Sequence, residues 1–256
     1  MKRSLLNIAM ALCIGLFAAC SQEEIITSSN DGVETVSIDA QLPQTVGTRA
    51  LPGAAANHQL RCILEVWEKA DNGVRLHRIE KLVTSEDNTA GKLQFEFSVA
   101  KGVNYQCLLW ADFIATDAAG TPGEGGNTQY ANKYFNTANL KAIDFAVGDA
   151  QLFNNPSADA FCAAVDKNGA TSSLSVTLRR PFTKVTLKDK TDYIDGCTAF
   201  DVAYNTPSGY NIATGTVAAT KAVKATGLAP TKDSKTWFST FIFASTDKKT
   251  LEQDIT

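Results

Sequence analysis

From Val36 onward apolar residues fall at alternate positions, Val36, Ile38, Ala40 and Leu42, with polar residues between them. A period of two predicts a half-buried strand. Similar runs follow at Leu60–Trp67, Leu93–Val99, Tyr105–Ile114, Leu174–Leu178, Phe182–Leu187, Phe200–Tyr204 and Trp237–Ala244. They are short, rich in β-branched and aromatic residues, and separated by Gly, Asn, Asp, Pro or Ser, as strands between turns should be. Asp71, Asn72 and Gly73 supply residues that tolerate positive φ and predict a hairpin there. Helical signals are weak; the best lies over Asn136–Ile143, with Thr137 as the cap ahead of Leu140 and Ile143. The Gly-dense stretch Thr116–Thr128 predicts a long surface excursion, either mobile or a partner-contact loop. The expected fold is therefore all-β, two tandem antiparallel β-sandwich domains.

The polar run at Lys167–Ser173 and the ladder-breaking Pro181 place the boundary between the two domains. The N-terminal domain is read as residues 33–178 and the C-terminal β domain as residues 179–256. Pro181 should mark either a sheet edge or a crossover where one strand leaves the first sheet and the next enters the second. The chain stops at Ile255 and Thr256 as another alternating run begins, which leaves both a natural end and a truncated domain open.

Residues 1–19 follow a different logic. Lys2 and Arg3 precede a stretch, Leu5–Ala19, that is apolar except for Asn7 and ends on Ala18 and Ala19 just before Cys20. That is the layout of a lipoprotein signal peptide, too short for a resident membrane helix. Lipidation at Cys20 would anchor the mature chain, since acyl chains contribute about 0.8 kcal/mol per buried methylene. The alternative is an ordinary secretory signal cleaved near Ala19, with Cys20 an incidental thiol. Residues 20–32 are mostly polar or small, Ile25 and Ile26 apart, as in a flexible stalk. The run Ser21-Gln22-Glu23-Glu24, with its two acidic residues, resembles the surface-export signal of some Gram-negative lipoproteins.

Charge narrows the partners. The chain carries 24 Lys and Arg against 27 Asp and Glu; without Lys2 and Arg3 the balance is 22 against 27, a net of −5. Nucleic acid is not an expected partner, and the only membrane contact expected is the N-terminal lipid. Cys62, Cys107, Cys162 and Cys197 have no Cys-x-x-Cys pair and no zinc spacing. An exported location permits a bridge, while the apolar runs around Cys62 and Cys107 favour buried thiols.

Chemistry is sparse. His58 and His77 are the two histidines, neither with another ligand at a metal spacing. The carboxylates Asp189, Asp192 and Asp195 lack the full set of a calcium loop and read as turn residues. No nucleophile elbow, phosphate loop, dinucleotide fingerprint or His-Glu-x-x-His pattern occurs. The expectation is a non-enzyme without metal or cofactor. Trp67, Trp110 and Trp237 could make a sugar-stacking platform but lie in apolar runs where core packing is the default.

Several strings carry a family resemblance: the signal followed by Ser21-Gln22-Glu23-Glu24, the strand VSIDAQLP followed by Thr48-Arg49-Ala50, YQCLLWADF ending on Trp110-Ala111-Asp112, YFNTANLKAI, DAFCA, and LRRPFTKVTLK with Arg180, Lys184 and Val185. Together they resemble the fimbrillin-like lipoproteins of the type V pilus superfamily. The resemblance implies tandem transthyretin-like, fimbrillin-like sandwiches in a fimbrial (pilus) subunit, structural, adhesive or accessory, on the outer membrane surface or in the fimbrium. It also implies assembly with other subunits or with itself by strand exchange: proteolysis after an arginine releases the first strand, and an extended strand of the next subunit takes its place. Carried onto this sequence, Arg49 and Ala50 flank the candidate cut, and Val36, Ile38, Ala40 and Leu42 are the inward side chains of the strand that would leave. The competing function is a surface glycan-binding lipoprotein associated with polysaccharide uptake.

Overall fold

The computed structural model describes residues 32–43, 57–70, 73–218 and 220–244, and the period-two runs are strands in it. In chain order these are β1 (Val33–Gln41), β2 (His58–Glu68), β3 (Arg75–Leu82), helix α1 (Ser85–Ala90), β4 (Lys92–Ala100), β5 (Tyr105–Ala115), β6 (Gly120–Pro122), β7 (Thr128–Tyr130), β8 (Phe135–Asn136) and β9 (Ile143–Phe145). Then come β10 (Ala160–Lys167), β11 (Ser173–Thr177), β12 (Phe182–Lys188), β13 (Phe200–Pro207), β14 (Gly209–Asn211), β15 (Thr216–Val217), β16 (Thr220–Leu228) and β17 (Thr236–Phe243). The all-β fold expected from the alternation is the one the chain adopts.

Two sheets, ordered β11-β1-β4 and β10-β5-β2-β3, face each other across the largest core. Alternation assigns the side chains. Leu60, Cys62, Leu64 and Val66 of β2 and Tyr105, Cys107, Leu109, Ala111 and Phe113 of β5 point into this core, opposite Leu93, Phe95, Phe97 and Val99 of β4. The intervening residues Ile63, Leu108 and Trp110 enter a second core on the other face of the same sheet. Strands buried on both faces must be apolar at nearly every position, and this explains why β2 and β5 lack clean alternation.

The second core collects Phe135, Leu140, Ile143, Phe182, Tyr210 and Phe243 around Trp110, with side chains from both sides of residue 178. A third is enclosed between the pairs β13-β16 and β12-β17, with Val202, Tyr204, Val223, Phe238 and Ile242 inside. Pro181 does mark a crossover: β11 pairs with β1 in the first sandwich, and β12, just beyond the proline, pairs with β17. Arg180 holds the crossing by its pair with Asp159 at 2.8 Å and by lying 5.1 Å from the Phe161 ring centroid.

One expectation needs correction, the helix over Asn136–Ile143, and two others gain detail. β1 pairs with β11 in parallel, Ile38 opposite Leu174, an exception within the predominantly antiparallel fold that was expected. The two strands are far apart in sequence, and a parallel pair needs such a long connection. No helix forms over Asn136–Ile143; its ends belong to β8 and β9, and the Thr137 hydroxyl is within 2.8 Å of Asn132 Oδ1 and accepts from Arg61 Nη2 at 3.3 Å. The helix that does form, α1, is closed by a capping box in which Thr84 and Asp87 each accept from the other's backbone N–H. Finally, the Gly-rich excursion is built as the hairpin β6-β7. A Cβ on Gly120 would lie 2.4 Å from the Thr128 side-chain methyl, so glycine lets the strands approach without displacing it.

Candidate functional site: the seam holding the first strand

β1 lies between β11 and β4, with a neighbour on each side. Its inward face is sealed: Val36, Ile38 and Ala40 are wholly buried, and Leu42 just beyond the strand is nearly so. Burial of Val36, Ile38 and Leu42 contributes about 1.5–3 kcal/mol each. Lifted out, β1 would leave an apolar trough between two strand edges with unpaired backbone groups. An extended chain supplies what such a trough lacks: N–H and C=O on both sides and alternate side chains for the floor.

Both ends of the strand are fastened. At the far end Leu42 N–H donates to Gly91 O at 2.9 Å, and Gln41 O accepts from Leu178 N–H at 3.1 Å. Asp39 pairs with Lys92 at 2.6 Å. At the near end Glu34, two residues before Val36 and on the same side of the pleat, reaches Lys167 at the end of β10. Lys167 is wholly buried, and its Nζ also donates to the carbonyls of Val103, at 3.0 Å, and Gly169. Gly102 N–H donates to Glu34 Oε1 at 3.2 Å. The hydrogen bond from Lys167 holds the Glu34 carboxyl below its ordinary value, against the opposing effect of desolvation, with Gly102 and the charge of Lys101 adding to it.

A carboxyl with a depressed folded pKa stabilises above its unfolded value, here the ordinary 4.5, and that contribution fades as pH falls through the folded value. We therefore expect Glu34→Gln to melt below the parent chain at pH 7, and the gap to close as pH is lowered past 4.5. Thermal melts of both proteins across that range test it. A gap independent of pH would remove the Glu34 carboxylate as its source.

Behind the sheet, sequence reasoning missed a buried charge network. Arg61, wholly buried, makes a fork to Asp112, with Nε to Oδ1 at 3.0 Å and Nη2 to Oδ2 at 2.9 Å, and Nη1 donates to Glu80 at 3.3 Å and Tyr130 O at 2.9 Å. Glu65 accepts from Arg78 at 2.6 Å, Arg75 at 2.7 Å, Trp67 Nε1 at 3.0 Å and Leu140 N–H at 3.1 Å. These bonds pin the chain between β6 and β9 onto the outer face of β2, β3 and β5. The cue was available: Arg61 and Glu65 interrupt an apolar run at positions facing Asp112 and Arg78 once the strands pair.

The remaining candidates disperse. Cys20, Arg49 and Ala50 lie outside the described residues. Cys62, Cys107, Cys162 and Cys197 are all free, and burial pushes the thiols of Cys62, Cys107 and Cys162 up to about 12, which leaves them unreactive. Trp110 is wholly buried with its ring 5.2 Å from Phe135, so it cannot stack on a sugar. Trp67 lies half-buried under Lys141, 3.9 Å from the ring centroid, and Trp237 packs on Phe200 at 5.3 Å. His58 Nε2 is 2.8 Å from the Tyr134 hydroxyl, and His77 Nε2 is 2.8 Å from Ser98 O. Asp189 caps the backbone of Thr191 and Ile194, while Asp192 pairs with Lys235. Among the described residues no group of His, Cys, Asp and Glu is arranged to hold a metal ion, and no helix is long and apolar enough to cross a membrane.

Comparison with known proteins places the chain. The model of a family of unknown function, DUF6562, matches residues 28–256. No curated protein matches the sequence at a significant level. Among solved structures, a candidate adhesin from Bacteroides ovatus ATCC 8483 shares 12% identity at a TM-score of 0.43, over 91% of this chain and 74% of its own. A second candidate adhesin from Bacteroides ovatus shares 10% at 0.45, over 86% and 71%. A fimbrial assembly protein from Parabacteroides distasonis ATCC 8503 shares 12% at 0.39, over 88% and 85%. All three scores lie below 0.5, so what this chain does is read from its own geometry.

Proposed function

The chain belongs to DUF6562, a family of unknown function, and from that premise we propose that it is a non-catalytic surface subunit of a pilus or adhesive fibre that assembles by exchange of its first strand. The observation that carries the reading is the place of β1: an interior strand, buried along one face, at the very start of the described chain. Such a strand can be severed from the rest by one cut in residues 44–56, and Arg49 lies in that stretch. An edge strand would leave only one edge to pair with; an interior strand leaves two, so its replacement is held as firmly as the original. In this reading Cys20 carries the lipid that delivers the subunit to the outer membrane surface, and cleavage between Arg49 and Ala50 releases it for assembly. In this reading the subunit is two sandwich modules, residues 33–178 and 179–256, that share the core around Trp110.

A protease site inserted between residues 44 and 56 isolates the central step. The mature chain, cut there, is incubated with an excess of labelled peptide of residues 33–43. The cut chain should exchange β1 for the peptide while the uncut chain does not. A cut chain that retains β1 and refuses the peptide up to its melting temperature would sink strand exchange. Mass analysis of protein taken from the cell surface reads the processing: a start at Ala50 marks the assembled form, a lipidated Cys20 the anchored one. A start at Ser21 without lipid would overturn the anchoring.

A further inference from the structure

We propose that Lys167 selects the strand that may occupy the seam: the entering segment must carry a carboxylate two residues ahead of its first inward apolar side chain, where β1 carries Glu34. This rests on the exchange reading above and names the chemistry of the partner segment. The partner is an extended strand of another subunit.

Three features at this end of the sandwich form a carboxylate pocket. The Lys167 ammonium is wholly buried and points at Glu34. Gly102 N–H donates to the same Glu34 oxygen that Lys167 engages. Lys101 adds its charge from the same turn. The other Lys167 acceptors, Val103 O and Gly169 O, are neutral, and the Tyr105 ring centroid is 5.8 Å away. While β1 is absent, water can reach Lys167 and satisfy it. An arriving strand shuts that water out again, and the ammonium is then buried either against a carboxylate or against nothing that balances its charge. A strand with a neutral side chain in that place meets a desolvation cost, and one with a lysine meets like charge as well. The apolar floor discriminates poorly among strands with alternating Val, Ile and Leu, so rejection of wrong strands falls to the charged end.

The test uses the cut mature chain and labelled peptides of residues 33–43 in three forms: unaltered, Glu34→Gln and Glu34→Lys. Equilibrium uptake of the Gln peptide should be about tenfold weaker or more, as expected for loss of a hydrogen bond to a charged group, and the Lys peptide weaker still. In a chain carrying Lys167→Glu the order should reverse, with the Lys peptide preferred. If that chain fails to fold, the peptide series on the unaltered chain decides alone. Equal uptake of all three peptides overturns the selection by Lys167 and leaves strand exchange standing. Uptake of none overturns both.

Discussion

Arg61→Ala should destabilise the protein by about 3–5 kcal/mol, because it removes one partner of a buried ion pair and strands the other. Asp112 is wholly buried and Glu80 nearly so, and both accept from Arg61. Burial disfavours the Arg61 charge, yet Asp112 and then Glu80 outweigh it, and the guanidinium pKa is raised. The same side chain bonds Tyr130 O, Asn132 Oδ1 and Thr137 Oγ1, so its loss should also loosen residues 130–137 from the sheet. Denaturant unfolding measures the first effect, and amide hydrogen exchange over that segment measures the second. The paired change Arg61→Met with Asp112→Leu should recover most of the loss, since replacing both charges leaves neither stranded. A double variant as unstable as Arg61→Ala alone would show that packing, and not charge pairing, sets the cost.

Ile38→Asp should unseat β1 while the remaining strands stay folded. Ile38 is wholly buried at the middle of the strand; the change forfeits about 1.5–3 kcal/mol of apolar burial and puts a carboxylate in the core with no cation beside it. Because β1 enters from one end of the chain, while its neighbours β4 and β11 keep Leu93, Phe95, Phe97, Val99, Leu174 and Val176 packed in the core against the facing sheet, the response that costs least is for β1 to leave. The variant should bind a hydrophobic dye, be cut by protease within residues 33–43, and take up the β1 peptide without prior cleavage. Thr35→Asp, an exposed position on the same strand, serves as the control and should change stability by no more than about 0.5 kcal/mol. If Ile38→Asp instead unfolds the entire chain in one transition, β1 is not a separable strand, and the exchange reading fails with it.

Particular residues show why some of this was legible beforehand. Val36, Ile38, Ala40 and Leu42 alternate with polar neighbours, and a strand with one buried face has no other way to satisfy its pleat. Pro181 has no N–H to give a ladder, so the crossover beside it follows from its chemistry. Glu34 was different. It stands in the same alternation as Val36, but its partner Lys167 is contributed by a strand far along the chain, and a lone glutamate ahead of an apolar run reads as the solvated start of a strand. Thr137 misled because a hydroxyl that can cap a helix can equally serve a buried arginine, and only the nearness of Arg61 settles the choice.

Local chemistry thus carries the all-β character, most strand positions and the inward face of β1, because alternation, turn residues and missing donors act over a few residues and need no partner to be specified. Pairing carries the rest. That β1 is an interior strand parallel to β11, that Arg61 faces Asp112 and that Lys167 closes on Glu34 depend on segments brought together from across the chain. Their energies come from excluding water between groups that are strangers in sequence, and such contacts exist only once the sheets have stacked.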